Sequence, residues 1–284
     1  MVNEITGQKM IKVITSDNID ELLEFVKLDN ARNYFIRLGL ENEEVVFDKI
    51  CGQWDETIGL KAALFKRLSG NLQFCANGEF EVEGFAEILR NIEYKYLISP
   101  KSFCDAFSGM DLFESEREGA YIAKLEKSEW QDLWESRNHR DAIDFGYQEN
   151  EVEKISINDL GEIVELYRLF FDSFCPETIM RKKLEIGRGR GVCIRRDGKI
   201  VCVAQSEFED SKSAVIVGVA TSPRFQRLGL AAKCLSSIIS ELVAEGKDLY
   251  LQYDNTEAGK IYKQLGFKEI DRVKHYKKKK QINK

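Results

Sequence analysis

The chain has 284 residues, of which 43% are hydrophobic and 32% charged, with three prolines. This composition excludes collagenous, coiled-coil and disordered chains, and the length allows two domains of ordinary size. No segment carries the run of about 18 apolar residues that a membrane span requires, and the N-terminal sequence lacks the layout of a signal peptide. We therefore expect a cytoplasmic protein without a membrane partner.

The net charge of -6 is unevenly distributed. Residues 1–150 contain 17 basic and 29 acidic residues, whereas residues 151–284 contain 25 basic and 19 acidic ones. Six of the basic residues fall between 274 and 284, and the lysine run 277–280 is interpreted as a solvated tail. We predict no nucleic-acid partner, although an RNA-associated factor that docks through this tail is an alternative.

The cysteine and histidine content argues against a metal site. The seven cysteines are odd in number, form no C-x-x-C pair and mostly lie in apolar runs. Reduced core thiols are therefore favoured over disulfides or zinc. His139 and His275 are the two histidines of the sequence, and we predict no metal.

The apolar spacing of the first half predicts a succession of strands and helices. Their order is strand, two helices, three strands, helix, strand, helix, strand. In that order they cover residues 11–14, 19–28, 31–40, 45–51, 57–66, 71–76, 80–91, 94–99, 102–107 and 119–126.

The second half predicts the same order of elements. The elements cover residues 151–157, 159–170, 176–186, 192–196, 199–208, 213–221, 228–245, 248–253, 257–265 and 267–276. The strand 213–221 is apolar almost throughout, which is typical of a strand buried on both faces.

The order predicts an α/β fold with a mixed central sheet in each half. Although the two sequences are not visibly similar, the shared order suggests one fold used twice. We accordingly predict one domain over residues 1–127, a linker helix over 128–150 and a second domain over 151–284.

The second domain contains a turn suited to binding an anion. The strand that ends at Pro223 is followed by an arginine-rich turn and a long helix. The N-terminus of a helix presents unpaired N–H groups and a partial positive charge, and small residues at Gly229 and Ala231 let a phosphate approach the backbone. Arg224 and Arg227 add full positive charges.

These residues resemble those of the GNAT (Gcn5-related N-acetyltransferase) family. The family's pyrophosphate signature, Gln or Arg, two residues, Gly, one residue, then Gly or Ala, is matched by 226–231, and the preceding V-G-V-A-T-x-P motif by 217–223. A later motif is matched by Asn255, Ala258, Tyr262, Gly266 and Phe267. The resemblance covers residues 151–276 and implies a fold of the GNAT type.

The resemblance implies that acetyl-CoA is the acyl donor and a primary amine the acceptor, with direct attack in a ternary complex. It implies a proton donor at Tyr262 and a backbone N–H near Val219 that polarises the thioester carbonyl. The residues it assigns to acetyl-CoA are Val219, Ala220, Thr221, Gln226, Arg227, Leu228, Gly229, Leu230, Ala231, Asn255, Ala258 and Tyr262. Asn255 is equally suited to capping its helix, and Tyr262 to packing in the core.

The general base is less well defined. Many family members place a glutamate on the buried strand, but this strand has no carboxylate. Glu207 is our first candidate because it lies on the neighbouring strand. Glu209, Asp254, a water-mediated route or an already neutral amine are alternatives.

The first half is predicted to be a degenerate copy without a cofactor site. At the position equivalent to the phosphate turn it carries Glu79, Glu81 and Glu83, which would repel CoA. This half would extend the sheet, line the acceptor site or form a homodimer. An acidic wall would favour a cationic acceptor, either a small molecule or a peptide. A non-catalytic acyl-CoA sensor is the alternative function.

Overall fold

A computed structural model describes residues 11–41, 46–138, 151–171 and 177–279. The chain forms two compact units. Unit 1 consists of Met1–Ile122 together with Asp271–Lys284, and unit 2 of Ala123–Ile270.

Unit 1 contains both β-strands and α-helices. Its strands are β1 (Ile11–Val13), β2 (Phe47–Asp55), β3 (Gly59–Arg67), β4 (Leu72–Ala76), β5 (Tyr96–Pro100) and most of β6 (Phe113–Leu125). Its helices are α1 (Ile19–Lys27), α2 (Tyr34–Glu41), α3 (Val82–Asn91) and α4 (Lys101–Cys104). The first four strands pair antiparallel in sequence order, and β4 pairs parallel with β5.

The core of unit 1 is aromatic. The Phe74 ring lies 5.0 Å from the rings of Phe80 and Phe85 and 5.3 Å from that of Phe107. These rings join the helix α3 and the 3-10 turn Asp105–Phe107, which follows α4, to the strand β4.

Unit 2 has the same construction. It contains the helices α5 (Lys127–Asn138), α6 (Leu160–Tyr167), α7 (Glu177–Glu185), α8 (Leu230–Ala244) and α9 (Thr256–Gln264). Its strands are β7 (Glu153–Lys154), β8 (Gly191–Arg196), β9 (Lys199–Glu207), β10 (Ser213–Thr221), β11 (Asp248–Tyr253) and the first residues of β12 (Lys268–Lys278). The strands β7 to β10 pair antiparallel in order, and β10 pairs parallel with β11.

The predicted order of elements is therefore confirmed in both halves, as is the α/β class with a mixed sheet. In each half the parallel pair is joined through one helix, α3 between β4 and β5 and α8 between β10 and β11. The predicted strand 45–51 is present as β2, which continues to Asp55.

The last strand of the chain departs from the prediction. Residues 271–284 group with unit 1, although they were assigned to a domain covering 151–284. The reason is backbone pairing: β12 runs antiparallel to β5, with Val273 opposite Pro100 and Lys277 opposite Tyr96. The prediction of a solvated tail is wrong for Lys277 and Lys278, because both belong to β12.

Unit 2 in turn contains the end of β6. Lys124 forms an ion pair with Asp248 at the start of β11 (3.2 Å), and the backbone N–H of Lys127 donates to the same carboxylate at 3.1 Å. The linker helix predicted over 128–150 is observed as α5, and its remainder lies outside the described residues, as do His139 and Cys175.

Two further expectations about burial are wrong. The first helix of unit 2 was predicted to continue to residue 170, but α6 ends at Tyr167, and Leu169 and Phe170 are exposed. The strand β10 was predicted to be buried on both faces, but residues 217–219 and Thr221 are partly exposed. The second difference locates a cleft.

Candidate active site

The cleft begins where two parallel strands stop pairing. Residues 213–215 of β10 pair with 248–250 of β11. Both strands continue beyond these pairs, β10 to Thr221 and β11 to Tyr253. The C-terminal half of β10 therefore has an edge that β11 does not cover, and its backbone groups are available to a ligand.

A β-bulge lies within this uncovered edge. Val217 is opposite Gln205 on β9, whereas Ala220 is opposite Val203, so β10 has one extra residue between these pairs. Gly218 has φ of 59°, in the left-handed region that favours glycine. Bulges re-aim the backbone, and this one falls next to Val219, the position predicted to polarise the carbonyl.

Two buried polar side chains hold the bulge. The hydroxyl of Tyr167 donates to the carbonyl oxygen of Gly218 at 2.7 Å, and the Nε2 of Gln205 donates to the Tyr167 hydroxyl at 2.6 Å. A Cβ added at Gly218 would lie 2.0 Å from the Tyr167 hydroxyl oxygen. The glycine is therefore required both by its backbone conformation and by the closeness of the tyrosine.

The predicted phosphate turn follows directly. Residues 223–225 form a single 3-10 turn, and α8 begins at Leu230 with Gly229 as its N-cap. Gly229 has φ of 77°, and a Cβ placed there would meet no atom within 4 Å. The Nε2 of Gln226 donates to the carbonyl oxygen of Thr221 at 3.2 Å, which joins the turn to the end of β10.

The helix α8 is fixed by its apolar face. Leu230, Leu235 and Ile238 are buried, whereas Arg227 and Leu228 before the helix are exposed. The first N–H bonded to the N-cap carbonyl is that of Lys233, at 3.1 Å from the oxygen of Gly229. The N–H groups before it have no carbonyl one turn back and can bind an anion.

Asn255 caps the helix α9. Its Oδ1 accepts from the backbone N–H groups of Glu257 (2.9 Å) and Ala258 (3.3 Å). The structure thus supports the capping role that the sequence left open for Asn255.

Tyr262 lies one turn of α9 after Ala258 and is buried. Its ring centroid lies 5.3 Å from that of Tyr253 and 6.1 Å from that of Phe267. Burial raises the pKa of Tyr262 to about 12, since the phenolate would be poorly solvated. The phenol therefore stays protonated at neutral pH.

Glu207, our first candidate for the base, is buried and ion-paired. Its Oε1 lies 3.0 Å from the Nζ of Lys183 on α7, and both side chains are less than one-tenth exposed. This carboxylate oxygen is therefore already bonded to a neighbouring ammonium group.

The structure brings Thr221 and Gln226 into direct contact, and it places Asn255, Ala258 and Tyr262 along one helix.

Sequence reasoning missed the contribution of Tyr167 and Gln205. A signal for Tyr167 was present, because it shares the apolar helical face of Leu160 and Ile163, where a phenol needs a polar partner. Gln205 gave no comparable signal.

Within the described residues, no cluster of histidine, cysteine, aspartate or glutamate could hold a metal ion. No helix in the described parts of the chain is long and apolar enough to span a membrane. The six described cysteines are free and buried.

Comparison with known proteins gives a family match for the C-terminal region. Residues 185–276, which include the predicted phosphate turn and α9, match the family model for GNAT acetyltransferase. No curated protein sequence matches the chain.

Several solved structures share the fold over nearly the whole chain. A GNAT-family acetyltransferase from Colwellia psychrerythraea superposes with a TM-score of 0.66 at 14% identity, covering 95% of this chain and 100% of its own. A tandem GNAT protein from the clavulanic acid biosynthesis pathway has a TM-score of 0.59 at 10% identity, covering 95% and 98%. A GCN5-related N-acetyltransferase from Kribbella flavida has a TM-score of 0.52 at 14% identity, covering 94% and 96%.

The family model confirms the resemblance to GNAT acetyltransferases over residues 185–276. The solved structures show that the chain has the fold of a tandem GNAT protein.

Proposed function

We propose that unit 2 transfers an acetyl group from acetyl-CoA to a primary amine by direct attack in a ternary complex. The observation that carries this proposal is the left-handed turn at Gly229, which opens α8 beside the uncovered edge of β10. The fold and the family match support acyl transfer in general, whereas the donor, the acceptor and the residue roles rest on the site's geometry.

The turn fits a pyrophosphate. The first N–H groups of α8, from Leu230 onward, point along the helix axis toward the turn, as at any helix N-terminus. A Cβ placed at Gly229 would meet no atom within 4 Å, so the space beside this residue is open. The exposed Arg224 and Arg227 supply positive charge beside them.

The uncovered edge of β10 fits the extended pantetheine arm of CoA. Val219 and Thr221 lie in the part of β10 that β11 leaves, so amide groups of the arm can bond to their backbone as an added strand would. The bulge at Gly218 would place a backbone N–H near the thioester carbonyl, where it stabilises the negative charge that forms during attack.

Tyr262 is the proposed proton donor to the departing thiolate. Its raised pKa keeps the proton available at neutral pH. Among the described residues its hydroxyl has no hydrogen-bond partner, so no competing bond must be broken before it donates.

The acceptor amine must lose a proton before or during attack. Because Glu207 is paired with Lys183, we favour a water-mediated route or an amine that arrives neutral, and Glu207 remains the alternative. The acceptor is proposed to be a small cationic amine or a peptide N-terminus.

Unit 1 is proposed to bind no acetyl-CoA. Glu79, Glu81 and Glu83 are exposed at the start of α3, the helix equivalent to α8. The N–H of Glu81 also donates to the Oε1 of Gln53 at 2.7 Å, so this donor is already used. The free thiols fit the reducing environment of the cytoplasm, where we propose that the protein acts.

Calorimetry with acetyl-CoA tests the proposal. Gly229→Glu places a carboxylate at the turn and should weaken binding at least tenfold, because like charges repel the pyrophosphate. Gly198→Glu is the matched control: Gly198 also has positive φ (75°) and open surroundings, but it lies at the β8–β9 hairpin. The proposal fails if the unmodified protein does not bind, or if both variants behave alike.

The competing function is an acyl-CoA sensor without turnover. It is favoured by the absence of a carboxylate on β10 and by the ion pair that occupies Glu207. Release of free CoA thiol in the presence of a panel of amines separates the two functions. Tight acetyl-CoA binding without thiol release on any amine would support the sensor.

A further inference from the structure

Unit 1 contains a basic cavity of about 960 Å³ that the proposed function does not use. It lies beside the β3–β4 turn, the start of β5 and the end of β12. Two of its lining residues are acidic, Asp48 and Glu93. Six are basic: Lys66, Arg67, Lys95, Lys277, Lys278 and Lys279. The half of the sequence that is acidic overall thus contributes to a cavity with a surplus of positive charge.

The guanidinium of Arg67 lacks an acidic partner among the described residues. Its Nη1 donates to the Oε1 of Gln73 at 3.0 Å, and the group lies 5.4 Å from the centroid of the Phe47 ring. Burial lowers the pKa of Arg67, since the charged form is partly desolvated. A half-buried cation that has only a neutral partner is stabilised by a bound anion.

The lysines differ in how far they are neutralised. Four of the lysines have acidic partners: Lys66 pairs with Asp48 at 3.2 Å, Lys278 with Glu93 at 4.0 Å, Lys277 with Glu114 and Lys279 with Asp111. Lys95 is exposed, and its ammonium lies 5.4 Å from the centroid of the Tyr96 ring, with no ion pair among the described residues. Arg67 and Lys95 are therefore the cations with most capacity left for a ligand.

We propose that this cavity binds a phosphorylated small molecule that carries at least two phosphate groups. The surplus of cations selects a multiply charged anion, and the volume matches small-molecule pockets. A single-stranded RNA is disfavoured, because such sites stack bases on exposed aromatic rings, whereas the ring of Tyr94 is buried. The site is independent of the proposed acetyl-CoA site in unit 2.

Calorimetry of the full chain with inorganic tripolyphosphate at low salt tests this site. Gly229→Glu is present throughout, so that the phosphate turn of unit 2 does not contribute. Arg67→Gln and Lys95→Gln should each weaken binding at least fivefold. Arg90→Gln removes the same charge from α3 outside the cavity and should change binding less than twofold. Absence of binding, or equal weakening by Arg90→Gln, would overturn the proposal.

A labelled 20-nucleotide RNA that binds more tightly than tripolyphosphate, and is weakened by the Arg67 and Lys95 changes, would overturn the choice of a small molecule.

Discussion

At the scale of single residues, the burial of Tyr262 determines which reaction step it can serve. A phenol whose pKa is raised to about 12 keeps its proton at neutral pH, so it can donate a proton but cannot act as a base. Burial of the neutral Tyr262 phenol stabilises the folded state. This contribution to the free energy of unfolding is fully present below the ordinary tyrosine pKa near 10, and it is lost as the pH rises toward about 12.

Tyr262→Phe is expected to lower kcat about 100-fold while the KM for acetyl-CoA changes less than twofold, since general acid catalysis contributes on that order. Steady-state kinetics measure both constants. Tyr253→Phe serves as the control, because it removes the same kind of hydroxyl from the neighbouring ring, where the hydroxyl donates to Glu269. Its kcat should stay within twofold of the unmodified protein. A Tyr262→Phe enzyme of normal kcat would assign Tyr262 to core packing.

The pH profile gives a second prediction for this residue. Because the pKa of Tyr262 is raised to about 12, loss of its proton should not reduce kcat below about pH 10. A fall in kcat between pH 7 and 9 that disappears in Tyr262→Phe would contradict this assignment.

At the scale of elements, the bulge in β10 is held by two neighbouring elements. Tyr167 on α6 and Gln205 on β9 hold the carbonyl of Gly218, so two neighbouring elements determine the path of the strand edge. The Oε1 of Gln205 is buried without a partner among the described residues. Such incomplete pairing is tolerated where a strained conformation serves a site.

Gly218→Ala should lower the free energy of unfolding by at least about 3 kcal/mol, because it adds a contact with Tyr167 to the cost of a left-handed backbone. Urea unfolding measures the change. Gly198→Ala has the same backbone cost without the contact and should lose about 1–2 kcal/mol. Equal losses in the two variants would show that the contact with Tyr167 does not matter.

At the scale of the whole molecule, the C-terminal strand belongs to the unit formed mainly by the start of the chain. In unit 1 its residues 273–277 pair with β5, and Lys274 forms ion pairs with Glu116 and Glu118 on β6. Without this strand, β5 would become an unprotected edge.

Deleting residues 271–284 should therefore destabilise unit 1, although the deletion is far from β5 in sequence. Hydrogen exchange of the backbone amides at 96–99 should become at least tenfold faster, as their partners are lost. Deleting residues 280–284 retains β12 and serves as the control. Unchanged protection of β5 in the longer deletion would contradict this assignment.

The sequence alone determined the element order, the tandem repeat and the glycine turn before α8, because these depend on local patterns. Apolar periodicity indicates helices and strands, and the spacing of Gln226, Gly229 and Ala231 is a local signature.

The cleft, the bulge and the partner of β12 could not be predicted from the sequence. Residues 213–221 have the apolar composition of a fully buried strand, and nothing in this sequence indicates that β11 stops pairing with β10 after Val215. Likewise, the ion pair of Glu207 with Lys183 and the burial of Tyr94 depend on which distant residues the sheet brings together. Those contacts are decided by long-range packing, which only the tertiary structure contains.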